Sequence, residues 1–239
     1  MEDWLSRTRM LLGDEAIKQL ANAHVAIFGI GGVGGYAAEA LARAGIGHFT
    51  LIDHDTVADS NRNRQIIATT ETIGQYKTDV MKARILTINP EAVVVTHHCF
   101  FLPDDVTLDF KKFTGIADAV DTVSAKIELV LRAKANKVPV ISCMGTGNKL
   151  DASALQAGDL YETKVCPLAK VMRRELKKRG VESLRVVYST EEPIRLKMQR
   201  EPAPERRKSI PGSVSFVPPV AGMIMAGELV KMILENESM

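Results

Sequence analysis

The sequence predicts an α/β fold in which a mostly parallel sheet carries helices on both faces. Short apolar runs typical of buried strands alternate with segments of helical periodicity. The first such run passes through a glycine-rich turn directly into a helix. With 239 residues, 46% of them hydrophobic, the chain can form one sizeable core. We therefore expect one Rossmann-like domain over residues 1–239, in which 1–145 bind a nucleotide and 146–239 form an α+β extension that faces the substrate.

The N-terminal elements follow from apolar periodicity. A leader helix is expected over residues 4–22, where Leu11, Leu12, Ile17 and Leu20 are available to pack. It precedes a βαβ unit with a strand over 24–28, a helix over 33–44 and a strand over 48–53.

The alternation continues beyond this unit. An amphipathic helix over residues 75–88 ends at Asn89-Pro90, because the residue before a proline disfavours helical backbone. The apolar run "AVVVTHHCF" predicts the next strand. It is followed by a strand over 115–121, a helix over 124–136 and a strand over 137–143.

Past Gly145 the predicted elements are shorter and less regular. "LDASALQAGDL" predicts a loop with a short strand, and "CPLAKVMRRELKKRG" a helix with Pro167 in its first turn and Gly180 as its stop. "SLRVVYST" predicts a strand. Residues 190–212 hold four prolines and show no periodicity, which is typical of a surface loop. An amphipathic helix is expected over 219–235.

The glycine turn predicts a nucleotide site. The pattern Gly29-x-Gly31-x-x-Gly34, with Gly32 inside it, lets main-chain N–H groups approach phosphates at a helix N-terminus. Asp53 follows Gly34 by 19 positions and ends the second strand, where an acid meets a ribose hydroxyl. This pattern alone leaves open an NAD-dependent oxidoreductase, an enzyme that consumes ATP and a non-catalytic nucleotide-binding protein.

The residues after Asp53 favour a triphosphate. A triphosphate under attack needs several cations, whereas a dinucleotide needs little beyond the helix N-terminus. Asp121, at the end of a predicted strand, faces the same crevice, and a carboxylate beside phosphates is best explained by Mg²⁺. Asp118 fits a structural role as well as a ligand role. The polar set near the sheet edge comprises Asp55, Asn61, Arg62, Arg64, Gln65 and Lys77.

The motifs over residues 5–145 resemble the adenylating enzymes of the ThiF, MoeB and HesA type, the bacterial relatives of ubiquitin-activating enzymes. The resemblance rests on the glycine turn, "DHDTVADSNRNRQ", Lys77 and "DAVDT". It implies a homodimer that uses ATP and Mg²⁺ to convert a carboxylate into an acyl adenylate. By this resemblance Asp53 holds the ribose, Arg64 and Lys77 hold phosphates, Asp121 holds the metal, and Arg9 reaches the partner subunit's ATP.

The chain departs from members of that family that activate sulfur carriers. It lacks their paired C-x-x-C zinc ligands, and its three cysteines offer no obvious thioester position. Cys166 precedes a predicted helix, where a thiol can acidify, but it fits an incidental role better. Activation of a ubiquitin-like sulfur carrier stays the alternative within the family, and with it a sulfur-transfer partner protein.

The C-terminal part resembles the branch of this family that acts on threonylcarbamoyladenosine in tRNA. The carrying segments are "GDLYETKVCPLAKVMRRELKKRGV", "VVYSTEEP" and "GSVSFVPPVAGMIMAGELVK". The resemblance implies that an internal nucleophile captures the activated carboxylate, so no enzyme thiol is needed. Residues 160–208 hold 14 Lys and Arg against 7 Asp and Glu, which suits a tRNA substrate. The predicted tRNA contacts are Lys170, Arg173, Arg174, Lys177, Lys178, Arg206, Arg207 and Lys208.

The N-terminus and the longest apolar run bear on localisation. "MEDWLSRTRM" is charged and lacks the apolar region of a secretory signal. "GSVSFVPPVAGMIMAG" is shorter than the roughly 18 residues typical of a membrane span. We therefore expect a cytoplasmic protein without stable membrane insertion.

Overall fold

The computed structural model describes residues 3–101, 108–198 and 211–236. These residues form six α-helices and seven strands. The helices are α1 (Ser6–Asn22), α2 (Gly34–Arg43), α3 (Lys77–Ile88), α4 (Val123–Ala135), α5 (Pro167–Lys177) and α6 (Val217–Asn236). The strands are β1 (His24–Phe28), β2 (His48–Ile52), β3 (Val93–His97), β4 (Gly115–Asp118), β5 (Val140–Cys143), β6 (Leu155–Asp159) and β7 (Arg185–Ser189).

All seven strands belong to one sheet with the order β3-β2-β1-β4-β5-β7-β6. The neighbours from β3 to β7 pair in parallel, and β6 pairs with β7 antiparallel. The residues after position 145 therefore extend the sheet of the N-terminal part. The chain order reverses between β1 and β4, and parallel α/β sheets bind ligands at such a switch point.

At the centre of the sheet both faces are buried, because side chains alternate along each strand and helices cover each face. On β1, Val25 and Ile27 pack in one apolar cluster with residues of α1, α2, α3 and α6. Ala26 and Phe28 pack in a second cluster with residues of α4 and α5. The predicted class, a mostly parallel sheet with helices on both faces and a C-terminal extension, is confirmed.

Helix α1 differs from the expectation for the leader. Ile17 and Leu20 are buried as predicted, but Leu11 is 87% exposed and Leu12 40%. Gly13 breaks the helical backbone with φ +84°, a value that L-residues rarely adopt. Leu11 and Leu12, next to this break, are thus turned away from the core and do not pack in it as Ile17 and Leu20 do.

Helix α6 is the one described helix with the length and composition of a membrane span, and half of its most apolar window is buried. Its buried side chains, including Ala221, Met225 and Leu229, belong to the cluster that covers the sheet. Core helices share this pattern, so the composition of α6 is explained by its packing.

Candidate active site

The glycine turn connects β1 to α2 and requires glycine at two positions for steric reasons. Gly29 has φ +87°, and a Cβ there would lie 2.8 Å from the carbonyl oxygen of Ala119 in the loop after β4. A Cβ at Gly34 would lie 1.8 Å from the carbonyl oxygen of Gly29. The turn is therefore packed directly against the loop that leads to Asp121.

Asp53 joins the end of β2 to this turn. Its Oδ2 accepts a hydrogen bond of 2.6 Å from the main-chain N–H of Ile30, and its Oδ1 accepts one of 2.9 Å from the N–H of Asp55. The Asp53 side chain is only 8% exposed. Such charge-assisted bonds fix the carboxylate in place before any ligand arrives.

Lys77 lies at the start of α3 and is buried. Its ammonium group donates to Asp55 Oδ2 at 2.5 Å, and the imidazole Nε2 of His54 lies 3.2 Å from Asp55 Oδ1. The main-chain N–H of Lys77 also donates to the carbonyl of Asp55 at 3.1 Å. The acid and the cation predicted from distant segments are thus a bonded pair.

Arg64 and Gln65 follow a short 3₁₀ turn that contains Asn61. Arg64 is partly buried, which lowers the pKa of its guanidinium, and it donates to the Ser60 carbonyl at 3.0 Å. Gln65 is buried, and its Oε1 has no hydrogen-bond partner among the described residues. Because a buried polar atom without a partner is costly, Gln65 is poised to bind a ligand group.

The two aspartates after β4 have different surroundings. Asp118 is fully buried and its Oδ2 lies 3.0 Å from the ammonium of Lys126, which is also fully buried. Asp121 is exposed, in the loop beyond β4, where Thr122 Oγ1 donates to it at 3.4 Å. The predicted strand over 115–121 ends earlier, at Asp118. The buried ion pair with Lys126 supports a structural role for Asp118.

These segments surround one cavity of about 710 Å³. Parallel strands end at the same edge of the sheet, which is why loops from distant parts of the chain meet here. The predicted residues that line the cavity are Gly29, Gly31, Gly32, Asp53, Asp55, Asn61, Arg64, Gln65, Lys77 and Asp121. Gly34 does not line the cavity but packs against the main chain of Gly29. Arg62 pairs with Asp59 and does not line the cavity either.

Several lining residues were missed from the sequence. His54 and Phe100 contact each other edge to face with ring centroids 4.8 Å apart, and both line the cavity. The segment from Met144 to Lys149 and the start of α5 form more of its wall. Most of these residues follow soon after strands, which was the one sign in the sequence that they could line the cavity. They form no recognisable motif.

Arg9 lies in the first half of α1 and is not among the residues that line this cavity. Its guanidinium is paired with the carboxylates of Asp3 and Asp14. Near it, Trp4, Met10 and Leu11 expose at least half of their surface. The predicted contact of Arg9 with a partner subunit's ATP stays a prediction.

The predicted tRNA contacts divide by their surroundings. Lys170 and Lys177 on α5 are exposed. Arg173 is partly buried and donates to the Thr163 carbonyl at 2.8 Å. Arg179, Arg174 and Lys178 surround Glu175 and lower the pKa of its carboxyl to about 2. Arg206, Arg207 and Lys208 lie outside the described residues.

Two of the three cysteines, Cys143 and Cys166, are buried. Burial raises the pKa of Cys143 to about 12, which keeps its thiol protonated. Cys166 is buried at the start of α5 and lines the cavity.

Ligand atoms of Asp53, His54 and Asp55 lie within 4.8 Å of one another, but these carboxylates already bind main-chain N–H groups and Lys77.

Comparisons with known proteins show the family to which the chain belongs. The model of the ThiF family matches residues 5–239. The tRNA threonylcarbamoyladenosine dehydratase of Bacillus subtilis is 40% identical over 97% of this chain and 94% of its own length. The enzyme of that name from Escherichia coli is 42% identical over 71% of this chain and 64% of its own length.

Solved structures are similar over the whole chain. The E. coli enzyme in complex with ATP superposes with a TM-score of 0.86 at 33% identity, covering 100% of this chain and 98% of that one. E. coli MccB superposes with a TM-score of 0.64 at 21% identity, which shows a shared fold alone. The resemblance that the motifs indicated is thereby confirmed.

Proposed function

The chain belongs to the ThiF family, and from that premise we propose that it catalyses the ATP-dependent dehydration of threonylcarbamoyladenosine in tRNA. The observation that carries this proposal is the similarity to the Bacillus subtilis dehydratase, which extends over 97% of the chain. That similarity includes the C-terminal part, which separates this branch from enzymes that activate sulfur carriers.

The reaction proceeds in two displacements. A carboxylate oxygen of the threonine moiety attacks the α-phosphorus of ATP, and pyrophosphate leaves with its electron pair. A nucleophile within the same nucleoside then attacks the acyl carbon, loses its proton and expels AMP. AMP retains the carboxylate oxygen, so the nucleoside becomes lighter by one water. Activation is needed because hydroxide is a poor leaving group and AMP is a good one.

The residues around the cavity supply binding and electrostatic stabilisation. Main-chain N–H groups of the glycine turn approach the phosphates, Arg64 and Lys77 balance their charge, and Asp53 binds the ribose. Lys77 and Asp55 are bonded in this structure. When the nucleotide binds, the ammonium group of Lys77 therefore interacts with both Asp55 and the phosphates. Asp55, Asn61 and Gln65 complete the nucleotide site, and the unpartnered Gln65 Oε1 supports a ligand contact there.

Asp121 fits a magnesium ligand. It is an exposed carboxylate that lines the same cavity as Arg64 and Lys77, and hard oxygen donors are those that Mg²⁺ prefers. When bound, Mg²⁺ neutralises charge on the phosphates of ATP. Asp121 lies in the loop after β4, and Ala119 of the same loop packs against Gly29 of the glycine turn. A metal ion held by Asp121 would therefore lie near the phosphates.

We further propose a homodimer in which Arg9 acts on the partner subunit's site. Trp4, Met10 and Leu11, all at least half exposed on one short segment around Arg9, support an interface there, because grouped exposed apolar side chains are typical of interaction sites. Each subunit is one adenylating domain over residues 1–239, in which 1–145 bind the nucleotide and 146–239 face the substrate. A tRNA substrate implies a cytoplasmic location, and a sulfur-transfer partner belongs to the alternative function.

Mass spectrometry of the nucleoside product tests the function. Incubation with ATP, Mg²⁺ and tRNA that bears threonylcarbamoyladenosine should yield a nucleoside lighter by one water, with equimolar AMP and pyrophosphate. NAD should neither bind nor replace ATP. An unchanged nucleoside mass, together with pyrophosphate exchange stimulated by a ubiquitin-like sulfur carrier, would establish the alternative instead.

A further inference from the structure

The cavity extends across the sheet edge beyond the nucleotide residues. The strand order β2-β1-β4-β5 places the segment after β5 two strands from the glycine turn, or about 10 Å. Here the wall consists of residues 144–149, 166–168 and 211–213. By the strand order this part of the cavity lies on the side of Asp121 away from Asp53, and it contains none of the residues that we assign to the nucleotide.

Asn148 holds this wall together. Its main-chain N–H donates to the Gly212 carbonyl at 2.8 Å, and its Oδ1 accepts the Gly212 N–H at 2.7 Å. Its own carbonyl accepts the N–H of Ile194 at 2.8 Å. Asn148 adopts φ +58°, a conformation that asparagine tolerates better than most residues. The backbone of the next residue, Lys149, is therefore firmly placed.

Lys149 is a buried cation within this wall. It is 3% exposed and lines the cavity. Its ammonium donates to the main-chain carbonyl of Glu191. The Glu191 carboxylate is used elsewhere, because it accepts the N–H groups of Leu150 and Asp151 at 3.0 Å. Over residues 3–101, 108–198 and 211–236, Lys149 has no ion pair.

An ammonium group has three N–H donors, and the Glu191 carbonyl uses one. A buried charge without a counter-charge is unfavourable, which is why buried lysines are usually paired. The other buried lysines conform to this, since Lys77 pairs with Asp55 and Lys126 with Asp118. Among the described residues Lys149 thus has no anionic partner, and a ligand in the cavity can supply one.

We propose that Lys149 binds the carboxylate of the substrate nucleoside and holds it for attack on ATP. This inference rests on the proposed function, in which that carboxylate must approach the phosphates. Two anions repel each other, and a cation on the far side of the carboxylate from Arg64 and Lys77 offsets that repulsion. The enclosed position suits a single carboxylate, whereas the phosphates of an RNA backbone require an open surface.

The test compares two RNA ligands that differ only in this charge. One anticodon stem-loop carries threonylcarbamoyladenosine, and the other carries the same group with its carboxylate converted to a carboxamide. Both are titrated in the presence of α,β-methylene ATP, which cannot transfer its adenylyl group because a methylene group replaces the oxygen between the α- and β-phosphorus. We expect the wild-type protein to bind the carboxylate form at least tenfold more tightly than the carboxamide form.

Lys149→Gln is the informative variant, because its amide can still donate to the Glu191 carbonyl but carries no charge. Its preference for the carboxylate form should fall below threefold, and Lys149→Arg should retain most of the preference. Lys149→Met provides a second neutral variant if the glutamine variant is unstable. Lys134→Gln, at an exposed position of α4, is the matched control and should behave as the wild type does.

A merely structural role predicts a different result. If Lys149→Gln weakens both RNAs equally, or leaves the preference unchanged in a folded protein, the assignment to the carboxylate is wrong. These outcomes leave the proposed function intact when the wild type still dehydrates modified tRNA. If the wild type shows no such activity and no binding of either RNA, the proposed function fails as well.

Discussion

The carboxylate of Asp53 bonds to the main-chain N–H of Ile30 at 2.6 Å, so the residue expected to bind ribose also fixes the glycine turn. Asp53 directly follows β2 and Ile30 follows β1, and the two strands are parallel neighbours. Nucleotide binding and the local stability of the turn are therefore coupled through one side chain.

Asp53→Ala should lower ATP affinity at least tenfold and also destabilise the protein. The variant loses two charge-assisted hydrogen bonds to main-chain N–H groups, a loss of about 1–3 kcal/mol. Calorimetric titration with ATP and urea unfolding measure the two effects. Asp59→Ala, an exposed position outside the cavity, is the control. Normal ATP affinity in folded Asp53→Ala would exclude a ribose contact.

Lys126→Met should be strongly destabilising because it leaves Asp118 buried without its cation. The expected cost is about 3–5 kcal/mol, whereas the exposed pair of Lys231 with Glu228 should contribute under about 1 kcal/mol. Urea unfolding of Lys126→Met and Lys231→Met provides the comparison. The double variant Asp118→Leu with Lys126→Met should recover stability, and a further loss instead would contradict the role given to the pair.

Asp121→Ala should remove most of the magnesium dependence of ATP binding. In the wild type, Mg²⁺ should tighten ATP binding, and chelation with EDTA should reverse this gain. The variant should bind ATP about equally with and without the ion, because its carboxylate ligand is gone. Glu128→Gln on α4 serves as the control, since Glu128 pairs with Arg132 away from the cavity. An undiminished gain in Asp121→Ala would place the ion elsewhere.

Mixing two inactive variants should restore activity if Arg9 acts across a dimer. Arg9→Ala and Asp121→Ala each disable every site in a pure homodimer. A mixed dimer carries one site with both residues intact, so up to half of the wild-type activity per mixed dimer is expected. Subunit exchange is verified by native mass spectrometry. No recovery after exchange would mean that Arg9 acts within its own chain or only in folding.

Alanine substitution of Lys170 and Lys177 should reduce the salt dependence of tRNA binding. If each contacts a phosphate, the slope of log affinity against log salt falls by roughly 0.7–0.9 per substitution. Arg173 should matter less for the slope, because it is bonded to Thr163. Lys134→Ala on α4 is the matched control. An unchanged slope in the double variant would exclude this face of α5 as the RNA contact.

The sequence by itself determined the alternation of strands and helices and much of the nucleotide site. Apolar periodicity is local, so β1, α2 and β2 could be located within a few residues. Parallel strands end at one edge, so the sequence alone places Asp53 and Asp121 near the glycine turn. The cavity contains both residues, although β4 ends three residues before Asp121.

Only the tertiary structure decided which residues are covered. Leu11 and Leu12 have the same apolar character as Leu20, but the break at Gly13 turns them away from the core. Asp118 and Asp121 look alike in sequence, and they differ because Lys126 of α4 lies against only the first. Lys149 is buried where it donates to the carbonyl of Glu191 and where its neighbour Asn148 bonds to Ile194 and Gly212, all of which are remote in the chain. Burial depends on long-range packing, and no local pattern encodes it.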